Sequence, residues 1–236
     1  ARLSITSRRA GSGEANRITA EAGRVGPVVP AARASGTEIV LRDLFFATPA
    51  RLKFLRAERT ERLEVAETVK RLAMAAPHVA VALRDVTGEG EGRVLFDAPA
   101  EQGTEAAARR ARLRRVMGAA FADSAIDVEA ERDGLVLTGL AGLPSAARNG
   151  AVAQHLFVNG RPVRDRLLLG ALRAAYGDLI PRDRRAAAAV YLACDPRRVD
   201  VNVHPAKTEV RFREPGLVRG LIVAGLRHAL AGRGHR

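Results

Sequence analysis

Two short turn sequences constrain the fold of this chain more than any other feature. Asp133-Gly134 and Asn159-Gly160 each stand between two runs in which apolar and polar residues alternate. Both pairs favour the positive φ angles of a tight two-residue turn, so each predicts a β-hairpin. A strand that reads as buried is predicted at 187–194. Two hairpins in one domain indicate a mixed, largely antiparallel sheet.

Helical patterns alternate with these strands. Thr104 can cap a helix that runs to Met117, where Gly118 would end it. Two further helices are predicted from apolar stripes at helical spacing, namely Leu168, Leu172, Ala175 and Tyr176, and then Val218, Leu221, Ile222, Gly225 and Ala229. The five arginines from Arg109 to Arg115 are expected to form the solvated face of their helix. We therefore expect an α+β fold in two layers.

The first hundred residues show a separate pattern. Alternation predicts antiparallel strands at 2–8, 17–20 and 36–41. Thr48-Pro49 is a helix-start signature, and we expect one helix from there to Ala76. Its predicted sheet-facing stripe is Val65, Val69, Leu72, Ala73 and Ala76. Strands are predicted around 79–83 and 94–96, and the aperiodic stretch 97–104 is the expected domain boundary.

The net charge of +13 lies mainly in the second half, where residues 151–236 include 16 basic and seven acidic side chains. Such a field favours polyanions, and contacts to DNA phosphates would make binding salt-sensitive. The single cysteine, Cys194, cannot form an internal disulfide, which is typical of a reducing compartment. No apolar run is long enough for a bilayer and no signal pattern begins the chain, so we expect a cytoplasmic protein without a membrane partner.

Lysine is rare in this chain, and one lysine lies in a polar loop. The 39 basic residues include three lysines, Lys53, Lys70 and Lys207. Pro205 fixes a turn just before Lys207, and alternating strands are predicted on both sides, at 199–203 and 210–212. An ammonium is a compact charge suited to a terminal phosphate, so Lys207 is a candidate phosphate contact. The alternatives are a solvated lysine in a structural turn and an arginine excess that reflects coding bias.

Three long segments carry a family resemblance. The first contains Gly36-Thr37 and then the run LFFATPARLKFL from Leu44, the second is FVNGRPVRDR from Phe157, and the third is VDVNVHPAKTEVRF from Val199. Together and in this order they resemble the MutL family of DNA mismatch-repair proteins, over nearly the whole chain. Ala47 stands where the family usually has asparagine, so a hydrogen bond from that amide would be missing.

The resemblance implies an α+β fold in two parts. Residues 1–100 would be the C-terminal part of a GHKL-type ATPase α/β sandwich, and residues 104–236 an α+β transducer domain that resembles domain 2 of ribosomal protein S5. The family's catalytic glutamate, magnesium-binding asparagine and Asp-x-Gly loops come before these segments. We therefore expect a truncated N-terminal region that does not hydrolyse ATP on its own.

The resemblance also implies site residues, cofactors and partners. Lys207 would be catalytic, reaching the γ-phosphate of ATP, and Gly36 and Thr37 would also bind the nucleotide. Arg161, Arg166 and, more weakly, Lys53 would contact DNA. ATP and Mg²⁺ are the implied cofactors of the intact protein. Its implied partners are DNA, the mismatch-recognition protein of the repair pathway and a second copy in an ATP-dependent homodimer.

Other functions fit parts of the pattern. A stand-alone S5-like nucleic-acid-binding module would use the basic second half without any nucleotide. The basic hairpin could also be solvated, with Arg164 paired to Asp165. Another ATPase of the same superfamily, such as a topoisomerase subunit, is disfavoured because the motifs around Asn159 and Lys207 together look specific to mismatch repair.

Overall fold

The structure is a computed structural model that describes residues 1–88, 90–149, 153–203 and 208–232. It divides into two compact units, Ala1–Leu63 and Glu64–Arg236. The predicted division into residues 1–100 and 104–236 stays a prediction. The boundary between the two compact units falls at a different place in the sequence, between Leu63 and Glu64. Within the described ranges, no helix is long and apolar enough to cross a membrane.

The first unit contains one antiparallel sheet. Its strands are β1 (Arg2–Arg8), β2 (Ala15–Glu21), β3 (Arg24–Val25), β4 (Val29–Ala31) and β5 (Gly36–Arg42). β1 lies between β2 and β5, so that Ile5 is opposite both Ile18 and Ile39. The three predicted strands are confirmed, and the short strands β3 and β4 both pair with β2.

One face of this sheet carries exposed apolar side chains. Leu3 and Ile5 share that face with their cross-strand partners Leu41 and Ile39, because side chains directly opposite each other point the same way. Ile39 is 66% exposed and Leu41 is 57% exposed. Neighbouring exposed apolar residues of this kind are typical of contact surfaces.

The single helix predicted from Pro49 to Ala76 is two helices, α1 (Pro49–Leu52) and α2 (Glu58–Ala75). Thr48 does not form the predicted side-chain cap. The two N–H groups at 54 and 55 bond to carbonyl oxygens three residues back, which tightens the chain and ends α1. The start of α2 is stabilised separately, because Glu61 Oε1 accepts a hydrogen bond of 3.0 Å from the backbone N–H of Arg56.

The predicted apolar stripe of α2 is wrong in part. Val65 and Leu72 are 49% and 52% exposed, whereas Ala73 and Met74 are fully buried. Met74 belongs to the cluster that packs on the main sheet of the second unit, so the last turns of α2 make that contact. The prediction required the whole length of α2 to pack on a sheet. The buried residues of α2 lie instead in its last turns, where it contacts the main sheet.

The second unit contains the remaining helices and strands. Its other helices are α3 (Glu105–Met117), α4 (Ala119–Ser124), α5 (Arg166–Tyr176) and α6 (Pro215–Ala231). Its strands are β6 (Val81–Asp85), β7 (Arg93–Ala98), β8 (Ile126–Arg132), β9 (Leu135–Ala141), β10 (Arg148–Asn149), β11 (Gln154–Val158), β12 (Arg161–Val163), β13 (Arg184–Arg185), β14 (Ala188–Ala193), β15 (Val199–Asp200) and β16 (Arg211–Phe212).

Five of these strands form the main sheet in the order β12-β11-β14-β9-β8. β11 and β14 run parallel, whereas the other neighbouring pairs are antiparallel. The remaining strands form the two-stranded pairs β6–β7, β10–β13 and β15–β16. The prediction of a mixed, largely antiparallel sheet is therefore confirmed.

Helices pack on both faces of the main sheet. Leu172 of α5 and Ile222 of α6 lie in the cluster on one face, whereas Leu113 of α3 packs with Phe157 and Tyr191 on the other. The second unit therefore has three layers and not the predicted two. The end of α2 and α3 form the additional helical layer, and the spacing of their apolar residues did not show which face of the sheet they cover. On α6, a Cβ added to Gly225 would lie 2.8 Å from the Cβ of Ala130, so glycine permits close packing on β8.

The predicted turns and helix cap are confirmed. Asp133-Gly134 joins β8 to β9 with φ angles of 48° and 72°, and Asn159-Gly160 joins β11 to β12 with 47° and 74°. Thr104 Oγ1 accepts a 3.3 Å hydrogen bond from the third backbone N–H of α3. These local signals succeed because each turn or cap needs a particular residue type irrespective of its surroundings.

The solvated arginine face predicted for α3 is wrong at Arg112. This side chain is fully buried, and its guanidinium donates hydrogen bonds of 2.7 to 2.9 Å to the carbonyl oxygens of Ala73, Pro77, Val79 and Pro99. A planar group with five donors can satisfy several carbonyl oxygens where chain segments converge. Arg112 thereby ties the end of α2 and the stretch 97–104 to α3.

Candidate functional site

The Asn159-Gly160 hairpin is fixed to the strand beside it. The backbone N–H of Asn159 donates to the carbonyl oxygen of Leu192 at 2.9 Å, and its side-chain oxygen accepts from the N–H of Cys194 at 2.9 Å. The side-chain amide of Asn159 also lies 3.7 Å from the Cys194 sulfur. Asparagine tolerates the positive φ and at the same time bonds the chain just past β14. The start of β12, and therefore Arg161, is held by β14.

Helix α5 begins at Arg166 because Asp165 caps it. Asp165 Oδ1 accepts a 3.1 Å hydrogen bond from the N–H of Leu168, and Asp165 is 7% exposed. Arg161 and Arg166 are both exposed, and neither forms an ion pair within the described residues. Unpaired guanidiniums near the free N–H groups of a helix start are suited to phosphate oxygens.

Arg164 connects this segment to the residue that follows Lys207. Its backbone N–H donates a 2.7 Å hydrogen bond to the carbonyl oxygen of Thr208. Its guanidinium lies 3.8 Å from Glu64 Oε2. The alternative pairing of Arg164 with Asp165 is therefore not found, because Glu64 is the partner of Arg164 and Asp165 caps α5.

Lys207 itself, with 204–206 before it, lies outside the described residues. The strands predicted around it are present in shorter form, since β15 and β16 pair antiparallel with Val199 opposite Phe212. The strand predicted over 199–203 ends at Asp200. There the Oδ1 of Asp200 accepts a 2.8 Å hydrogen bond from the N–H of Asn202, an Asx turn that leads the backbone out of the ladder.

Gly36 and Thr37 begin β5 in the first unit. Gly36 has a φ of 106°, and a Cβ there would meet nothing within 4 Å. Glycine is therefore needed for the backbone angle and not for a close approach. Across the β1–β5 pair, Thr37 Oγ1 lies 2.8 Å from Ser7 Oγ. These two predicted nucleotide-binding residues therefore offer a ligand one exposed hydroxyl, that of Thr37, next to a glycine.

Lys53, the third predicted DNA contact, is the exposed residue directly after α1. It belongs to the first unit, whereas Arg161 and Arg166 belong to the second. Within the second unit the structure joins Arg161, Arg166 and Thr208 through one hairpin and its hydrogen bonds.

A charged cluster around His155 is absent from the sequence-based predictions. His155 of β11 interacts with Glu67, Lys70 and Arg71 of α2 and with Arg164. The pKa of His155 is lowered to about 4, chiefly by burial, and the neighbouring cations contribute to this lowering against the opposing effect of Glu67. Burial and then Arg164 also lower the pKa of Arg71. The signal in the sequence was a pair of polar residues, Gln154 and His155, at the start of an otherwise apolar strand.

A metal site would need clustered ligands in the described parts of the chain. These parts contain no group of three or more His, Cys, Asp or Glu side chains that could hold a metal ion.

Solved structures define the class of this fold. The N-terminal domain of a DNA repair protein matches it with a TM-score of 0.80 at 18% identity, covering 99% of this chain and 73% of that one. The Aquifex aeolicus MutL ATPase domain complexed with ADP matches with a TM-score of 0.60 at 24% identity, covering 94% and 72%. The fold is that of the GHKL ATPase domains with their following S5-like domain, which confirms the predicted fold class.

Sequence relatives then define the family. The DNA mismatch repair protein MutL of Paramagnetospirillum magneticum is 53% identical over 236 residues, and that of Phenylobacterium zucineum is 56% identical over 242 residues, each covering 100% of this chain. The family model for the C-terminal domain of DNA mismatch repair protein matches residues 113–231. The chain belongs to the MutL family of DNA mismatch repair proteins. It spans 38% of the length of both relatives.

Proposed function

We propose that this chain is the part of a MutL mismatch-repair protein that couples ATP binding to DNA contact. One observation carries the proposal, namely the 2.7 Å hydrogen bond from the N–H of Arg164 to the carbonyl oxygen of Thr208. Thr208 follows Lys207 directly, and Arg164 stands between the exposed Arg161 and Arg166. A shift of the chain at Thr208 would therefore act on β12 and on the start of α5.

The nucleotide part of the proposal involves three residues. In the full-length protein, Lys207 contacts the γ-phosphate of ATP, and Gly36 and Thr37 contribute to the nucleotide site. The exposed hydroxyl of Thr37 supports this, as does the ADP complex of the Aquifex aeolicus MutL ATPase domain. The described residues offer no cluster of metal ligands, so they supply no fit for Mg²⁺, which remains a proposal for the full-length protein.

The DNA part of the proposal involves Arg161 and Arg166, with Lys53 as a further contact. Guanidiniums without an acidic partner can each neutralise a phosphate without first breaking an ion pair. The surrounding residues 151–236 add a positive field that attracts a polyanion. Contacts of this kind position DNA without reading its sequence, so binding is expected to depend on salt more than on base order.

The partners of the full-length protein follow from its family. We propose that it acts with the mismatch-recognition protein of the repair pathway and closes into a homodimer when ATP binds. ATP hydrolysis would reopen that dimer. The family membership at more than 50% identity supports these partners. The proposal also includes a location in the cytoplasm, where bacterial DNA is accessible.

Full-length protein variants test both halves of the proposal. Lys207→Ala is expected to reduce ATP turnover strongly while the fold, measured by circular dichroism, is unchanged. Arg166→Glu is expected to weaken binding of a fluorescent duplex and to lower the slope of log affinity against log salt by about one. Arg219→Glu, an exposed arginine on α6, is the matched control for the charge change.

Two outcomes would reject the proposal. Unchanged ATP turnover in Lys207→Ala removes the phosphate contact, and an unchanged salt slope in Arg166→Glu removes that arginine from the DNA surface. If wild-type DNA binding is also the same with and without a non-hydrolysable ATP analogue, the stand-alone nucleic-acid-binding module is the better description.

A further inference from the structure

A cavity lies at the far end of α5 from the proposed DNA contact. Its volume is about 300 Å³, and it is bounded by the last turns of α5, the following connection and β13. The apolar part of its lining, called the floor below, is Leu172, Tyr176, Ile180, Pro181 and Ala186, and Gln154 and Gly177 also line the cavity. A concave apolar floor of this size can take a large apolar side chain from a partner.

Four arginines surround this floor, namely Arg173, Arg182, Arg184 and Arg185. Arg185 is held in place, because its Nη1 donates hydrogen bonds of 3.0 Å to the carbonyl oxygens of Arg182 and Arg184. In the described parts of the chain none of the four forms an ion pair. Four guanidiniums around one opening create a local positive field that attracts carboxylates.

The nearby carboxylates do not neutralise this rim. Asp178 lies 3.7 Å from Arg227 and does not line the cavity. Asp183 stands between Arg182 and Arg184 in sequence but does not line the cavity. The rim therefore keeps an excess of positive charge for a ligand.

The floor argues against a nucleic acid as the occupant. A single strand binds by stacking its bases on exposed aromatic rings, but Tyr176 is 2% exposed and its hydroxyl donates to the carbonyl oxygen of Gly142 at 2.7 Å. A duplex presents a convex and polar backbone, which would contact the arginines without filling an apolar hollow. An acidic peptide with one large apolar side chain fits both the rim and the floor.

We propose that this cavity docks a linear acidic peptide of a partner protein, with one apolar side chain in the floor and flanking carboxylates on the arginines. The arrangement places the peptide two helical turns from Arg166, since Arg173 is seven residues further along α5. The site is independent of the nucleotide and DNA contacts proposed above, and it can be tested without either ligand.

The test uses the protein and a fluorescein-labelled peptide that has a central leucine with two aspartates on each side. We expect saturable binding measured by fluorescence anisotropy. The double variant Arg173→Ser/Arg184→Ser is expected to weaken it about tenfold or more, because two charge-assisted contacts are lost. The matched double variant Arg211→Ser/Arg219→Ser changes the net charge equally and is expected to retain the affinity.

A peptide with serine in place of the central leucine is expected to bind at least about tenfold more weakly, because the floor stays unfilled. Equal binding of the two peptides would show general charge attraction and would overturn the proposal. Equal binding by the wild type and the cavity variant would overturn it as well. If the cavity variant binds duplex DNA more weakly but retains its affinity for the peptide, the arginines belong to a DNA-binding surface and the proposal is wrong.

Discussion

The buried guanidinium of Arg112 donates a 2.9 Å hydrogen bond to the carbonyl oxygen of Ala73, in the last turn of α2. The same group bonds to carbonyl oxygens in the two segments before and after the β6–β7 hairpin. One α3 side chain thus donates to a carbonyl oxygen near the end of α2 and to three more in the segments beside the hairpin. It also explains how the aperiodic stretch 97–104 is ordered.

Removal of this guanidinium is expected to destabilise the protein. Arg112→Met removes the guanidinium hydrogen bonds from four carbonyl oxygens, and we expect the free energy of unfolding to fall by about 3 to 5 kcal/mol. Arg112→Lys should lose part of that amount, because an ammonium cannot reach all four acceptors. Urea unfolding measures both. Arg114→Met, on the exposed side of the same helix, is the control and should change stability by about 0.5 kcal/mol or less.

The cap of α5 couples helix stability to the proposed DNA contact. Asp165→Ala removes the acceptor for the Leu168 N–H and is expected to cost about 1 kcal/mol of stability. DNA affinity should fall with it, because Arg166 is the first residue of the frayed helix. Asp165→Asn retains an acceptor oxygen and is expected to preserve both. Full DNA affinity in Asp165→Ala would show that the helix start does not orient Arg166.

His155 is expected to make stability depend on pH. Its pKa is about 4 in the folded protein against 6.5 for an ordinary histidine, so the unfolded chain binds more protons between these values. The free energy of unfolding should therefore decrease as pH falls from about 6.5 to about 4, by up to about 3 kcal/mol, and this contribution is constant below that range.

The pH dependence is measured by urea unfolding at several pH values. His155→Gln is expected to flatten the decrease, because glutamine does not titrate. His228→Gln removes an exposed imidazole from α6 and serves as the matched control. Parallel curves for the wild type and His155→Gln would contradict the assignment.

The exposed apolar face of the first sheet is expected to bind a hydrophobic dye. Anilinonaphthalene sulfonate should fluoresce with this chain, and Ile39→Thr/Leu41→Thr should reduce the signal by about half while keeping strand propensity. Val86→Thr, which replaces a residue that is 70% exposed in the second unit, is the comparison. An equal signal from the double variant would place the dye elsewhere.

Local chemistry made much of the second unit predictable. Asn159-Gly160, Asp133-Gly134 and the Thr104 cap each require a residue type for a backbone angle or a free N–H group, and these requirements act over a few residues. The buried role of Arg112 could not be predicted in this way. Its acceptors lie up to 39 residues away, and a charged residue among four other arginines reads as solvated.

At the candidate site, too, local features were predictable from the sequence and long-range contacts were not. Exposure of Arg161 and Arg166 follows from a polar hairpin and a helix start, both visible as motifs. The contact between Arg164 and Thr208 depends on how β12 meets a segment 44 positions further along, which no spacing rule supplies. The role of Lys207 and the division near residue 100 stay predictions.

Cys194 gives spectroscopists a ready attachment point. It is the single cysteine of the chain, it is half-buried, and its neighbour Asn159 lies in the turn that presents Arg161. A nitroxide or fluorophore on this sulfur would report on that turn without any other thiol to remove. Because burial raises the pKa of the thiol, coupling should be slow at neutral pH and faster in mildly alkaline buffer.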